Sequence, residues 1–290
     1  MPELPDINLY VEKIEERIRG QHLENIRISK PFLLRSFDPP LGVASGRQIP
    51  ELRRMGKRVV FGLKPDYWLV MHLMVAGRFH WHETKAAIGG KHQLAAFDFA
   101  NGCLSLTEAG SRKKASLYLV KGADELARHD PGGLEPLSCS SAEFSAQLLR
   151  ENRTLKRALT NPRTLSGIGN AYSDEILHAA HLSPLKLTSK LSGSEMRSLF
   201  DATRSTLLRW CDLLRAQCGD DFSEKVSAFC AEMAVHGKFG KQCPVCGTKV
   251  QRIRYKSNET NYCPTCQTGG RLLADRSLSR LLKDDWPDAL

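Results

Sequence analysis

Two cysteine pairs, Cys243-Pro-Val-Cys246 and Cys263-Pro-Thr-Cys266, stand 16 residues apart and constrain this chain more than any other feature. Each CxxC turn offers two thiolates, and this spacing is that of a two-knuckle tetrahedral zinc site. Four sulfur ligands leave no open coordination position, so one structural Zn2+ is expected to staple a β-hairpin and not to activate water. A redox role for either pair is the alternative. The other five cysteines, Cys103, Cys139, Cys211, Cys218 and Cys230, are scattered singly, which favours reduced thiols plus one metal site over a disulfide framework. Between the pairs, Lys249, Arg252, Arg254 and Lys256 precede the first acid, Glu259. A zinc-stapled basic hairpin suits a nucleic-acid grip, although a plain solvated hairpin can carry the same charges.

The charge balance points the same way. Forty-two Lys and Arg against 32 Asp and Glu leave +10 on 290 residues, which suits a polyanionic partner but does not by itself separate nucleic acid from acidic lipid. No apolar run reaches the ~18 residues of a spanning helix, and no basic segment followed by an apolar signal region opens the chain. The expectation is a cytoplasmic protein, nucleoid-associated in a bacterium, with no membrane partner. With 41% hydrophobic residues the chain can bury a core and is long enough for two domains.

Periodicity divides the chain. Ile7, Val11, Ile14 and Ile18 recur at helical spacing, with Asp6 placed to cap the start and Gly20 the end. Strand-like pieces follow at 25–29, 58–63, 68–73, 94–99, 103–106 and 117–120, with no helices between them, which predicts a sandwich or barrel. Helical patterns resume at 144–149, 155–159, 172–180 and 196–214. The expected divisions are a catalytic β domain over 1–120, a linker over 121–140, a helical domain over 141–235, the zinc finger over 236–268 and a helical tail over 269–290. Leu272, Leu273, Leu278, Leu281 and Leu282 suggest one more amphipathic helix in that tail.

Two short stretches carry chemistry. Gly167-Ile168-Gly169-Asn170 lies between helical patterns; its glycines permit a tight turn, and Asn170 can cap the next helix with backbone N–H groups facing outward, an arrangement that seats a phosphate. A plain helix-helix connection reads the same way in isolation. At the start, Met1 before the small Pro2 is the kind of methionine that is removed. Pro2 would then be a secondary amine with a pKa near 7.7–8.0, partly neutral and nucleophilic at physiological pH. Glu3 beside it can move protons in carbonyl-type chemistry. His72 and His178 lie within apolar patterns and read as satisfied core histidines.

Taken together, Pro2-Glu3-Leu4-Pro5, Lys57 after Arg53-Arg54-Met55-Gly56, Met71-His72-Leu73-Met74 before Gly77-Arg78-Phe79, Leu155-Lys156, the stretch from Gly167 to Leu177 and the four-cysteine finger resemble the formamidopyrimidine-DNA glycosylase / endonuclease VIII family. The order and spacing hold from residue 2 to 266. The resemblance implies an α+β multidomain fold: an N-terminal β-sandwich with flanking helices, then a helical helix-two-turn-helix domain with a zinc-finger β-hairpin, and DNA in the cleft between. It also implies a monomeric base-excision-repair DNA glycosylase and AP lyase, acting on double- or single-stranded DNA that contains an oxidised or ring-opened base. By the same resemblance Pro2 attacks C1′ of the flipped-out nucleotide and Glu3 serves as acid/base. Lys57 and Asn170 hold the surrounding phosphates, and Lys156 lies on the helix leading into the Asn170 turn.

The chain departs from the family pattern in places. Asp6 stands where most relatives have Glu, either as an active-site ligand or as a helix cap. The loop 107–116 lacks the aromatic that would fill the gap left by the flipped base; Met74 fits the first gap-filling position, with Arg112 or Lys113 for the second. In the finger Asn258 replaces the family's phosphate-binding Arg, leaving Arg254 or Lys256 for that contact. The stretch 222–226 falls where relatives carry the loop that covers the extruded base. Two other functions fit the sequence: a DNA-damage-binding zinc protein with weak or no excision, suggested by the missing wedge and altered finger, and a nucleic-acid-binding zinc protein with no lesion preference.

Overall fold

The computed structural model describes residues 1–110, 112–222, 227–255 and 258–273. The expected helix beyond residue 273 lies outside the described residues. The chain forms two compact units, one of Met1–Pro131 with Cys211–Ser227 and the other of Gly132–Trp210 with the chain from Ala228.

The first unit opens with α1 (Leu4–Ile18). Its stripe Ile7, Tyr10, Ile14 and Ile18 is buried, so the 3.6-residue period is the packing face. Ten strands follow: β1 (His22–Leu23), β2 (Asn25–Ile28), β3 (Arg47–Gln48), β4 (Leu52–Met55), β5 (Arg58–Leu63), β6 (Tyr67–His72), β7 (Gly77–His82), β8 (Gln93–Phe99), β9 (Gly102–Glu108) and β10 (Ser116–Lys121). They make two four-stranded antiparallel sheets, ordered β10-β6-β5-β4 and β2-β8-β9-β7, while β1 pairs with β3. One core joins Phe61, Leu69 and Met71 of the first sheet to Phe97, Leu104 and Leu106 of the second and to the α1 stripe. Phe61 stacks on Phe97 at 6.4 Å, and burying each such ring contributes about 2–3 kcal/mol. This is the expected sandwich. Its first sheet is covered on both faces, because Val60, Val70 and Val120 pack with Leu126 of α2 (Ala123–Ala127). That helix lies in the stretch that reads as a linker.

The second unit contains α3 (Ser141–Leu149), α4 (Leu155–Thr160), α5 (Asn170–Ala179) and most of α6 (Gly193–Cys218), whose last residues, from Cys211, belong to the first unit. Ser140 starts α3 with a reciprocal cap: its Oγ accepts the Glu143 N–H at 3.2 Å and Glu143 accepts the Ser140 N–H at 2.8 Å. Tyr172 meets Trp210 edge-on at 5.7 Å in the helical core. Strands β11 (Gln251–Tyr255) and β12 (Asn258–Tyr262) form the expected hairpin, followed by α7 (Pro264–Thr268). Among the described residues no helix is long and apolar enough to cross a membrane.

Candidate active site

In the first unit, Pro2 and Glu3 lie buried immediately before α1. Asp6, three residues into the helix motif, turns back: its Oδ2 accepts the Glu3 N–H at 2.8 Å, and its Oδ1 accepts the Ser227 N–H at 2.8 Å. Both oxygens of this carboxylate are thus engaged by backbone, one of them capping α1 from inside its first turn. Burial raises the pKa of Asp6, and the two backbone hydrogen bonds oppose that rise. The N-terminal amine, carried here by Met1, is largely buried. Desolvation lowers its pKa; Glu3 and Asp6 pull it up while Arg78 and Lys57 push it down. An amine, two carboxylates and two cations therefore gather at one end of the sandwich. Arg78 belongs to this group, and only its place in the Gly77-Arg78-Phe79 motif hinted at it.

Lys57 sits in the two-residue turn between β4 and β5, where Gly56 adopts φ +62°. Arg54 fastens that turn: its guanidinium donates to the Gly56 carbonyl at 2.9 Å and to Asn8 Oδ1 of α1 at 2.8 Å. The helix that follows Pro2 and the turn that carries Lys57 are tied by one side chain.

The turn after β6 is tightly specified. Met74 adopts the left-handed φ of +54°, its N–H donates to His72 Nδ1 at 2.9 Å, and Gly77 donates to the Leu73 carbonyl at 2.9 Å. A Cβ at residue 77 would lie 2.2 Å from that carbonyl oxygen, so only glycine fits. His72 is the satisfied histidine that its apolar setting suggests. Burial, with the Arg58 and Lys57 charges adding to it, lowers its pKa to about 4, so Nδ1 is free of a proton and accepts. The turn half-buries Met74 and presents Val75, 64% exposed, at its tip. Met74, the residue expected at the first gap-filling position, is thus followed directly by an exposed apolar neighbour.

Across the sheet, the buried Glu108 carboxylate accepts the N–H groups of Lys114 and Ala115 at 2.9 and 3.1 Å and shapes the loop beyond β9. Arg112 is exposed there, and the Lys113 ammonium bonds the Lys91 carbonyl.

In the second unit the glycine turn places Gly167 at φ +77° and leads into α5. The expectation that Asn170 caps α5 is corrected: Gly169 is the cap residue, Asn170 is the first helical residue, and its Nδ2 donates to the Glu259 carbonyl of β12 at 2.8 Å. The amide is drawn to the hairpin because β12 packs along this helix. Lys156 is buried, its ammonium 2.5 Å from Asp174 Oδ1 and 2.7 Å from the Asn170 carbonyl, so its charge braces the turn from within. Asp174 also meets His236 Nδ1 at 2.8 Å, and Glu175 accepts the N–H groups of Ala234, Val235 and His236 at 2.8–2.9 Å. Two adjacent acids, Asp174 and Glu175, are the only trace of this knot in the local sequence.

The four cysteine sulfurs lie within 4.8 Å of one another, with Cys243 to Cys266 at 3.9 Å and Cys246 to Cys263 at 3.4 Å. Zn–S bonds of about 2.3 Å in a tetrahedron put sulfurs about 3.8 Å apart, so the donor set fits one structural zinc. Beside it, Arg252 stacks on Phe239 at 4.1 Å, and Arg254 is exposed with its Nε 3.8 Å from Glu259. Asn258 is exposed at the start of β12, and Lys256 lies outside the described residues.

Known protein families match three successive stretches of the chain. Residues 1–115 match the formamidopyrimidine-DNA glycosylase N-terminal domain, 133–213 the helix-two-turn-helix domain of the same enzymes, and 240–269 the zinc finger found in these glycosylases and isoleucyl-tRNA synthetase. An uncharacterized formamidopyrimidine-DNA glycosylase-like protein of Mycobacterium tuberculosis is 39% identical over 151 residues, 52% of this chain and 94% of that protein. The formamidopyrimidine-DNA glycosylase of Listeria monocytogenes is 26% identical over 92% of this chain and its own full length. Among solved structures, the Lactococcus lactis enzyme in complex with DNA containing an abasic site superposes with a TM-score of 0.81 at 26% identity, over 92% of this chain and 99% of that one. A MutM structure in complex with DNA containing carbocyclic 8-oxo-G reaches the same score at 26% identity and covers 92% and 100%. The chain belongs to the formamidopyrimidine-DNA glycosylase family, with a four-cysteine zinc finger after its helical domain.

Proposed function

We propose that this protein is a base-excision-repair DNA glycosylase with AP lyase activity, acting on DNA that contains an oxidised or ring-opened base. The observation that carries the reading is the setting of Pro2: it lies buried with Glu3 at the start of α1, Asp6 holds the Glu3 N–H at 2.8 Å, and the charges of Arg78 and Lys57 reach the N-terminal amine that precedes it. With Met1 removed, the amine is the Pro2 ring nitrogen. It attacks C1′, the C1′–N bond breaks, and the base departs with a proton supplied by Glu3 or water. The ring nitrogen gives up its N–H proton, the C1′–O4′ bond opens as O4′ takes a proton from Glu3 or water, and the iminium so formed has no N–H to lose, so it stays cationic and draws electrons from C2′. Loss of the C2′ proton to a base, with Glu3 in reach of the same centre, expels the 3′ phosphate, and a second elimination expels the 5′ phosphate.

Lys57, Asn170 and Arg254 supply phosphate contacts, while Lys156 acts through the Asn170 turn that it braces. In this reading Met74, with the exposed Val75 beside it at the tip of the turn, is the apolar side chain offered to the stack, and Arg112 or Lys113 serves as the second gap-filling residue. The protein works as a monomer on chromosomal DNA in the cytoplasm. An excision panel tests the proposal: duplex and single-stranded oligonucleotides carrying oxidised purines, oxidised pyrimidines, ring-opened bases or an abasic site. Base release and strand cleavage leaving phosphate at both ends of the gap are expected. Tight lesion binding without cleavage would mark a damage-binding protein instead.

A further inference from the structure

Polar residues of α5 form a line against the zinc finger. Asn170 Nδ2 donates to the Glu259 carbonyl at 2.8 Å, Asn261 Nδ2 lies 3.4 Å from Asp174 Oδ2, and His178 Nε2 lies 3.3 Å from Cys243 Sγ. Positions 170, 174 and 178 recur every four residues and share one helix face. One turn further on, Gln267 of α7 donates to the Leu182 carbonyl at 2.9 Å and accepts the Cys263 N–H at 2.8 Å. The zinc finger is thus seated along α5 by a polar rail that begins at the phosphate-binding turn and ends at a metal ligand. His178 and Cys243 are both buried, so neither group has water to satisfy it.

We propose that His178 is a positioning residue of the zinc centre, donating its Nε2–H to the Cys243 thiolate and coupling metal retention to the seating of the finger on α5. A zinc-bound thiolate has no proton to give, so the hydrogen of this contact belongs to the imidazole, which fixes the Nε2–H tautomer. Four thiolates on Zn2+ carry an excess of two negative charges into a partly buried site. An N–H aimed at one sulfur withdraws part of that charge and strengthens retention of the ion. At the other end of the rail, Asn170 is held by the same hairpin, so losing the metal releases the residue that the proposed function assigns to phosphate.

The test uses the full-length zinc-loaded protein and measures the rate of zinc transfer to a chromophoric chelator. His178→Phe preserves a planar ring without the donor and is expected to release zinc roughly tenfold faster, with His178→Gln, which keeps an N–H, in between. In the cobalt-substituted protein the thiolate-to-metal charge-transfer band should shift in His178→Phe. Imidazole nitrogen NMR of the zinc-loaded wild type should show His178 protonated at Nε2, a readout that needs no variant to fold. Unchanged release and an unchanged band in His178→Phe, or a bare Nε2 in the wild type, would overturn the proposal. These readouts are independent of DNA cleavage, so they stand apart from the glycosylase reading.

Discussion

Acid should loosen the turn that carries Met74 and Val75, and His72 sets how much. The folded ring has a pKa of about 4 against 6.5 for an ordinary histidine, because burial and the nearby Arg58 and Lys57 charges disfavour its protonated form. Its neutral Nδ1 accepts the Met74 N–H that holds the left-handed backbone at residue 74. On acidification the unfolded chain takes up the proton first. The stability gained by keeping the ring neutral is therefore complete above about pH 6.5, declines as pH falls from there toward 4, and is flat below. The gap between the two pKa values corresponds to about 3 kcal/mol in full, of which about 1 kcal/mol is lost by roughly pH 5.5. Asn at position 72 supplies an amide oxygen near the Nδ1 position and does not titrate. Urea unfolding followed at several pH values between about 4.5 and 7.5 should show a loss in the wild type that exceeds the loss in His72→Asn by this amount. An NMR titration should also find the His72 ring neutral at about pH 5.5. Parallel pH profiles for the two proteins, or a ring that titrates near 6.5, would refute the reasoning.

Removing the zinc with a chelator, or introducing Cys243→Ser, should weaken DNA binding while leaving the sandwich folded, because the site organises the hairpin and has no open position. Binding titrations beside near-ultraviolet circular dichroism check this; equal affinity with no metal bound would contradict it. Arg54→Ala should lower kcat/KM for an abasic-site duplex roughly tenfold, with Arg54→Lys recovering part, since the tie from Asn8 to Gly56 is what places the Lys57 turn. Excision should depend weakly on the base opposite the lesion, because no aromatic stands in the loop beyond β9 to hold the orphaned base. Single-turnover rates opposite each of the four bases measure it, and a strong preference for one partner would show that Arg112 or Lys113 does restore a wedge.

The parts of this molecule legible in its sequence were those with a short-range period or a fixed ligand spacing. The α1 stripe, the runs of β5, β6, β8 and β9, and the four cysteines each follow from local geometry, and the structure bears them out. What stayed hidden depends on contacts between residues far apart in the chain. Strand β7 is hard to read because Gly77-Arg78-Phe79-His80-Trp81-His82 alternates histidine, not a plainly polar residue, with aromatics; His80 and His82 bond Thr107 and Ser105 of the neighbouring β9. Asn170 reads as a cap from its place after glycine, but a carbonyl 89 residues away claims its amide. Lys156 has the composition of a surface cation and is buried because Asp174 lies opposite it. Asp6 was ambiguous for the same reason: its second partner is the backbone of Ser227, 221 residues along the chain.

An iminium-forming secondary amine at Pro2 is the central requirement of the proposed reaction, and borohydride trapping addresses it most directly. The mature protein is incubated with an abasic-site duplex in the presence of borohydride, and the cross-linked peptide is mapped. A covalent adduct at the Pro2 nitrogen is expected, lost when the N-terminus is blocked and sharply reduced in Pro2→Gly. Adduct at a lysine, Lys57 included, or trapping undiminished by a blocked N-terminus, would contradict the account.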